Sequence, residues 1–215
     1  PIHVMVFYCF NKIGIMVCME LRLGTRGSRL ALAQSEWVKR ELEKRNPEIR
    51  ITLCLEETSG DRDRTSPLNQ LPTLGAFTKE LDQALLERRC DLAVHSLKDL
   101  PTQPVDGLTI AAIPVREDPA DVICTQKGHP VKELPPGAII GTSSPRRQAL
   151  VRCLRGDFNV REIRGNIDTR LRKLLDLHAY DALILAAAGL NRLGLNQHIA
   201  ERLDPKQYPC APGQG

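Results

Sequence analysis

Arginine stands in this sequence where the physics of helix ends disfavours it. The segments Gly24-Thr-Arg-Gly-Ser28, Gly141-Thr-Ser-Ser-Pro-Arg-Arg147 and Arg164-Gly-Asn166 each join a strand candidate to a helix candidate through a small polar turn. Ser28, Ser144 and Asn166 are good N-cap residues, and Pro145 suits the first helical position, where its missing N–H costs nothing. A helix N-terminus carries roughly half a positive charge and unpaired N–H donors, so acidic side chains belong there. Arg146 and Arg147 break that rule. An anion over the turn resolves the conflict, held by backbone donors and guanidinium forks, each charge-assisted bond contributing about 1.5–3 kcal/mol. One such arginine reads as a solvated surface residue, but three turns of the kind, with Arg170 further along the helix after Arg164, point to a site. In parallel α/β sheets these turns gather at one sheet edge, so the arginines can converge. Planar forks suit carboxylates as well as phosphates, although a Walker loop and a G-x-G-x-x-G fingerprint are absent.

A carboxylate belongs to the same picture. The strand candidate Asp91-Leu-Ala-Val-His95 runs into Ser96-Leu-Lys-Asp-Leu-Pro101, which puts Lys98 and Asp99 in the loop past its end. One acid among several arginines is expected to stay ionised, because nearby positive charge lowers its pKa. It could then accept N–H bonds or stabilise a developing cation. A plain surface Lys-Asp turn before a proline is the alternative. His95 reads as structural, and Cys90 and Cys153 as buried small hydrophobes rather than nucleophiles.

The elements that must position these residues alternate short apolar runs with longer helical patterns, as in an α/β protein with largely parallel sheets. Strands are predicted at Leu21 to Thr25, Ile49 to Glu56, Asp91 to His95, Leu108 to Ile113, Asp121 to Thr125, Ala138 to Gly141, Asn159 to Ile163 and Ala182 to Ala186. Helices are predicted at Ser28 to Arg45, Phe77 to Arg89, Pro145 to Arg155 and Ile167 to Asp176. In the first helix Leu30, Ala33, Trp37, Val38 and Leu42 form the expected core stripe, with Glu36, Lys39, Arg40 and Glu43 facing away. Pro- and Gly-rich stretches at Pro101 to Gly107 and Pro114 to Pro119 are candidate crossovers between two lobes. Residues 20–115 are expected as a first domain, to which 210–215 begin a return, and 116–209 as a second.

Composition excludes other classes. With 42% hydrophobic and 26% charged positions the 215 residues are globular, and 30 basic against 26 acidic groups are too balanced to imply nucleic acid. Seven cysteines, odd in number and without a C-x-x-C pair, suggest neither a disulfide framework nor zinc. No metal is expected, and a reducing cytoplasm is the natural setting. Residues 1–19 hold all three methionines but neither a signal peptide's basic start nor an uninterrupted membrane span. They read as an extension ahead of a start at Met16 or Met19, outside the fold.

The motifs His95-Ser-Leu-Lys-Asp-Leu-Pro101, Gly141-Thr-Ser-Ser-Pro-Arg-Arg-Gln148, Arg164-Gly-Asn-Ile-Asp-Thr-Arg170 and Leu183-Ile-Leu-Ala-Ala-Ala-Gly-Leu190 resemble, in order and spacing, the porphobilinogen deaminase (hydroxymethylbilane synthase) family. The resemblance runs from about Leu21 to Gly215. It implies two α/β lobes like those of type II periplasmic binding proteins, each a mixed, mostly parallel sheet flanked by helices, followed in the family by a third, α+β domain. It implies a transferase that deaminates porphobilinogen and condenses four molecules into hydroxymethylbilane, as a cytoplasmic monomer without nucleic-acid or membrane partners. By the same resemblance Asp99 is catalytic, and Arg26, Ser28, Lys98, Thr142, Ser144, Arg146, Arg147, Arg164, Arg170 and Arg192 bind the carboxylates of substrate and of a covalent dipyrromethane cofactor.

Three departures accompany the resemblance. Pro145 stands where the family generally has Leu, which the N-terminal helical position makes harmless. Thr73-Leu-Gly75 replaces a Gly-Lys-Gly loop, so Leu74 stands for a lysine. The third domain, whose cysteine attaches the cofactor, is not represented, and none of the seven cysteines lies in the matching motif, so the chain is expected to be an inactive fragment. A two-lobed organic-anion binding protein without chemistry is the alternative function, and Asp99 discriminates, because pure anion capture gains nothing from a carboxylate in the site.

Overall fold

The computed structural model describes residues 6–7, 19–58, 78–103 and 105–215. The chain divides into two compact units, Pro1–Arg116 and Glu117–Gly215. The loop at Thr73-Leu-Gly75 and Phe77 lies outside the described residues.

In the first unit the strands are β1 (Val6–Phe7), β2 (Met19–Arg26), β3 (Ile49–Glu56) and β4 (Leu92–His95), with helices α1 (Arg29–Arg45) and α2 (Lys79–Leu86). The sheet order is β1-β4-β2-β3, with β2 parallel to both β3 and β4, and β1 antiparallel to β4. Part of the N-terminal segment set apart in the sequence therefore pairs with the sheet, Val6 opposite His95 and Phe7 opposite Val94. Strand alternation divides the core. Leu92 and Val94 pack with Leu23, Val38 and Ile51, while Ala93 joins Leu81, Ala84, Leu85 and Cys90 of and after α2.

Two expectations fail here. Leu108 to Ile113 forms no extended strand: within it Ile110 alone makes an isolated bridge, and Ile110 and Ile113 stand 46% and 41% exposed. The stripe of α1 holds at Val38, in the core, and at Leu42, packed against it, but departs from its expected place elsewhere. Trp37 is 38% exposed while Gln34 and Ser35 are buried, because Ser35 Oγ donates to Thr25 Oγ1 at 2.7 Å and takes that face to the sheet. Lys39 and Glu43 do not face away. Lys39 Nζ donates to the carbonyl of Ile51 and to Glu43, and Glu43 Oε1 accepts from the Ile51 amide at 2.9 Å.

The second unit contains β5 (Asp121–Thr125), β6 (Ile139–Gly141), α3 (Pro145–Leu154), β7 (Asn159–Arg161), α4 (Ile167–Leu175), β8 (Ala182–Ala186), α5 (Ala187–Arg192) and β9 (Glu201–Arg202). Its sheet order is β7-β6-β8-β5-β9, parallel at β6 with β7 and β8, antiparallel at β5 with β8 and β9. Both central strands are covered on two faces. Val122, Cys124, Leu183 and Leu185 meet Leu171 and Leu174 of α4, whereas Ile123, Ala182 and Ile184 meet Leu150 and Val151 of α3 and Phe158. The sequence leaves α5 unassigned, since it follows β8 directly from Ala186 with no side-chain cap.

Gly141 ends β6 just before the first arginine turn of this unit. A Cβ there would lie 2.6 Å from Leu183 Cδ2 and 2.8 Å from Tyr180 Cδ1, closer than real side chains approach. Gly141→Ala is therefore expected to destabilise the chain by about 1–3 kcal/mol through overpacking. Combining it with Leu183→Ala, which vacates the space, should cost less than the sum of the two single changes, as a double-mutant cycle of urea melts would read.

Candidate arginine and carboxylate site

Unit two brings its arginine turns together through one hydroxyl. Ser143 Oγ donates to the Ile163 carbonyl at 2.8 Å and accepts from the Ile163 amide at 3.0 Å, which clamps the turn before α3 against the turn before α4. Ser144 caps α3 by accepting from Arg147 N, and Asn166 caps α4 by accepting from Thr169 N at 2.9 Å. Thr142 is buried, and its Oγ1 accepts from the Ser144 amide at 3.2 Å. Gly165 links Arg164 to the cap at φ +110, and a Cβ there would lie 2.7 Å from Thr169 Cγ2, so the turn requires glycine. Sequence reasoning missed Ser143, whose only signal was one more small polar residue in the turn.

The charge conflict at the N-terminus of α3 is met in part from inside the protein. Asp121, at the start of β5 and fully buried, accepts from Arg146 Nη1 at 2.6 Å, and from Arg147 Nε and Nη2 at 3.1 and 2.8 Å. Arg147 also donates to the Ile184 carbonyl at 3.2 Å and to Gln214 Oε1 at 3.3 Å. Asp121 and Gln214, absent from the sequence-predicted set, thus organise it. Burial alone would raise the pKa of Asp121, but the bond from Arg146, the charge of Arg147 and the bond from Gln214 outweigh it and hold the carboxyl below its ordinary value.

Arg170 lies near this group. Its Nε donates to the Gly165 carbonyl at 2.7 Å. Burial first, then the charges of Arg147 and Arg164, push its pKa down to about 10. Neither Nη of Arg170 has a hydrogen bond among the described residues, nor do Nε and Nη2 of Arg146. Arg164 is half-buried, and its carbonyl accepts from Lys173 Nζ at 3.1 Å. Arg192, at the end of α5, is half-buried too; burial lowers its pKa against the opposing pull of Glu117.

In unit one, Arg26 ends β2, Ser28 caps α1 by accepting from Ala31 N at 3.3 Å, and Lys98 and Asp99 lie in a short 3-10 turn, Leu97–Asp99, after β4. Asp99 corrects an expectation: its pKa is raised, not lowered. Loss of water around the carboxyl dominates, and Lys98 and Arg26 only partly offset it. The residue still keeps an exposed surface, which describes a carboxyl reachable by solvent yet crowded by protein. His95 is buried and held neutral, its pKa pushed down to about 4 by burial and by Arg26.

Cys90 is buried as expected, and burial pushes its thiol up to about 11. Cys153 is exposed instead, because α3 turns that position away from the sheet that Leu150 and Val151 cover. Among the described residues no group of His, Cys, Asp and Glu could hold a metal, and no helix is long and apolar enough to cross a membrane.

The Asp121 cluster makes a prediction. Asp121→Asn leaves two guanidiniums without their buried counter-charge and should cost about 3–5 kcal/mol, seen as a lower urea midpoint. The folded pKa of Asp121 is depressed, so its contribution is present above the ordinary carboxylate pKa and is lost as pH falls through the folded value. Urea melts at falling pH should therefore show wild type losing, below the ordinary carboxylate range, an increment that Asp121→Asn lacks at every pH.

Residues 21–215 match the family model described as "Porphobilinogen deaminase, dipyromethane cofactor binding domain". The chain is 49% identical over 195 residues to porphobilinogen deaminase of Syntrophobacter fumaroxidans, covering 91% of this chain and 63% of that protein. It is 50% identical over 196 residues to that of Pelobacter propionicus, with 91% and 63% covered. The chain thus spans about 63% of the length of these curated relatives. Among solved structures it overlays the probable amino-acid ABC transporter extracellular-binding protein ytmK of Bacillus subtilis at a TM-score of 0.46 and 12% identity, over 86% of this chain and 81% of that one. With the family model matched from Leu21 to Gly215 and half of the positions shared with such relatives, the chain belongs to the porphobilinogen deaminase family.

Proposed function

We propose that this chain supplies the substrate-holding and catalytic groups of a transferase that deaminates porphobilinogen and condenses four molecules head to tail into hydroxymethylbilane. The observation that carries the reading is the pair of open guanidinium edges, Arg146 Nε and Nη2 and the two Nη of Arg170, beside Arg147 and Arg164. For Arg146, Arg147 and Arg170 together, Asp121 is the one carboxylate bonded among the described residues. A half-buried excess of positive charge of this kind is stabilised by carboxylates from outside, and porphobilinogen carries an acetate and a propionate.

The same chemistry fits a dipyrromethane group, the two-pyrrole cofactor of the matched family model. Arg146, Arg164, Arg170 and Arg192, with Thr142 and Ser144 in the turn before α3, are the residues of unit two that would hold its carboxylates. Arg147 acts with them while anchored to Asp121. Arg26, Ser28 and Lys98 are the corresponding groups of unit one. When bound, the cofactor supplies the primer to which substrate units are added.

Asp99 is the proposed catalytic carboxylate. In its ionised form it accepts hydrogen bonds from pyrrole N–H groups and stabilises the positive charge that develops on porphobilinogen as ammonia leaves. Desolvation strengthens that interaction, because a carboxylate that has lost water acts in a lower effective dielectric. His95, neutral and buried at the end of β4, brings no second charge to the turn. A cytoplasmic setting accompanies the proposal, supported by seven cysteines that are odd in number and form no C-x-x-C pair.

The test uses an enzyme that joins this chain to the remaining length of its relatives. Asp99→Asn should lower kcat by at least about 100-fold, the scale of losing one preorganised electrostatic partner. Because the pKa of Asp99 is raised in the folded chain, its ionised form is destabilising above the ordinary carboxylate pKa. The same variant should therefore keep or slightly gain stability at neutral pH, and near-normal turnover would end the assignment. For these 215 residues by themselves, intact mass after incubation with porphobilinogen is expected to show no covalent dipyrrole, since none of the seven cysteines lies in the attachment motif. An added dipyrrole mass would contradict it.

A further inference from the structure

We infer that Gln214 is a positioning residue that divides the arginine pair of α3, fixing Arg147 on Asp121 so that, of the two, Arg146 offers the open two-donor edge to a carboxylate ligand. The inference rests on reading the α3 turn as a carboxylate site. A guanidinium recognises a carboxylate best through an edge that offers two parallel N–H donors. In Arg147 the Nε and Nη2 edge is taken by Asp121, at 3.1 and 2.8 Å to the same oxygen, and Nη1 is taken by the Ile184 carbonyl at 3.2 Å. In Arg146 only Nη1 is bonded, to Asp121 Oδ2 at 2.6 Å and to the Pro209 carbonyl at 2.8 Å. Its Nε and Nη2 edge has no hydrogen bond among the described residues, and its side chain is 28% exposed against 11% for Arg147. Neighbours in sequence thus have opposite assignments.

Asp121 cannot make that division alone, because it bonds both arginines. Gln214 separates them. Its Oε1 accepts from Arg147 Nη2 at 3.3 Å, while its Nε2 donates to Asp121 Oδ1 at 2.9 Å and to the Pro119 carbonyl at 2.9 Å. It forms no bond to Arg146 among those resolved, and it is 1% exposed. A side-chain amide can accept from a guanidinium through its oxygen and donate to a carboxylate through its nitrogen at once. Glutamate in its place would keep the acceptor and lose the donor, and leucine would lose both.

The proposal is tested on the 215-residue chain by NMR exchange of arginine Nε–H protons, with porphobilinogen as the probe. In wild type Arg147 Nε–H should exchange slowly and Arg146 Nε–H fast, and of these two porphobilinogen should slow Arg146. Gln214→Leu should release Arg147 to fast exchange and weaken porphobilinogen binding in calorimetry about tenfold or more, the scale of one charge-assisted hydrogen bond. Gln214→Glu, which keeps the size, should release it partly. Equal exchange of the two arginines in wild type overturns the proposal without any variant, and so does a folded Gln214→Leu chain with unchanged Arg147 exchange or unchanged affinity. If the wild-type chain fails to bind porphobilinogen at all, the carboxylate-site reading falls, and the exchange rates still decide whether Gln214 holds Arg147.

Discussion

A buried carboxylate facing two guanidiniums is the constraint around which unit two is arranged. Asp121 is removed from water at the first residue of a central strand, and desolvating it is expensive unless its charge is met at close range. Arg146 and Arg147 meet it from the first turn of α3, where positive side chains oppose the helix dipole. Each partner offsets the unfavourable placement of the others. The consequence is geometric: α3 cannot rotate or slide against β5 without breaking bonds to both arginines, so the turn that begins it is held to within hydrogen-bond tolerance.

Most of this architecture was legible in the sequence where the signal was local. The strands Ile49–Glu56, Asp121–Thr125 and Ala182–Ala186 have the bounds their apolar runs suggested, and Ser28, Ser144 and Asn166 cap their helices. These features depend on neighbours in the chain. Leu108 to Ile113 misled because an apolar run becomes an extended strand only where its pairing continues past a single bridge such as that at Ile110, and pairing is not written in the run itself. The stripe of α1 misled for a related reason: the Ser35 to Thr25 bond puts polar residues on the buried face, and hydropathy cannot anticipate a pair formed across ten residues.

The candidate site divides in the same way. The arginines were visible from their conflict with the helix dipole. Asp121 and Gln214, which answer part of that conflict, were not, because they are brought to α3 from 25 and 67 residues away. Asp99 lies in the turn past β4 that the sequence suggests, but its electrostatics run opposite to expectation. Counting nearby cations predicts a lowered pKa, but a carboxyl crowded by protein loses more from missing water than Lys98 and Arg26 restore.

The clamp made by Ser143 has a further effect on how the unit tolerates change. One hydroxyl bonds both the N–H and the C=O of Ile163, so it replaces a rung of strand pairing and closes a ring between positions 20 apart in the chain, which contains α3 and β7. Within such a ring the separation of its two ends is set by the clamp and not by the path between them, since lengthening a closed loop changes its entropy only slowly. Insertions along the exposed rim near Gly156 can thus accumulate over evolution while the spacing of Arg146 from Arg164 stays constant.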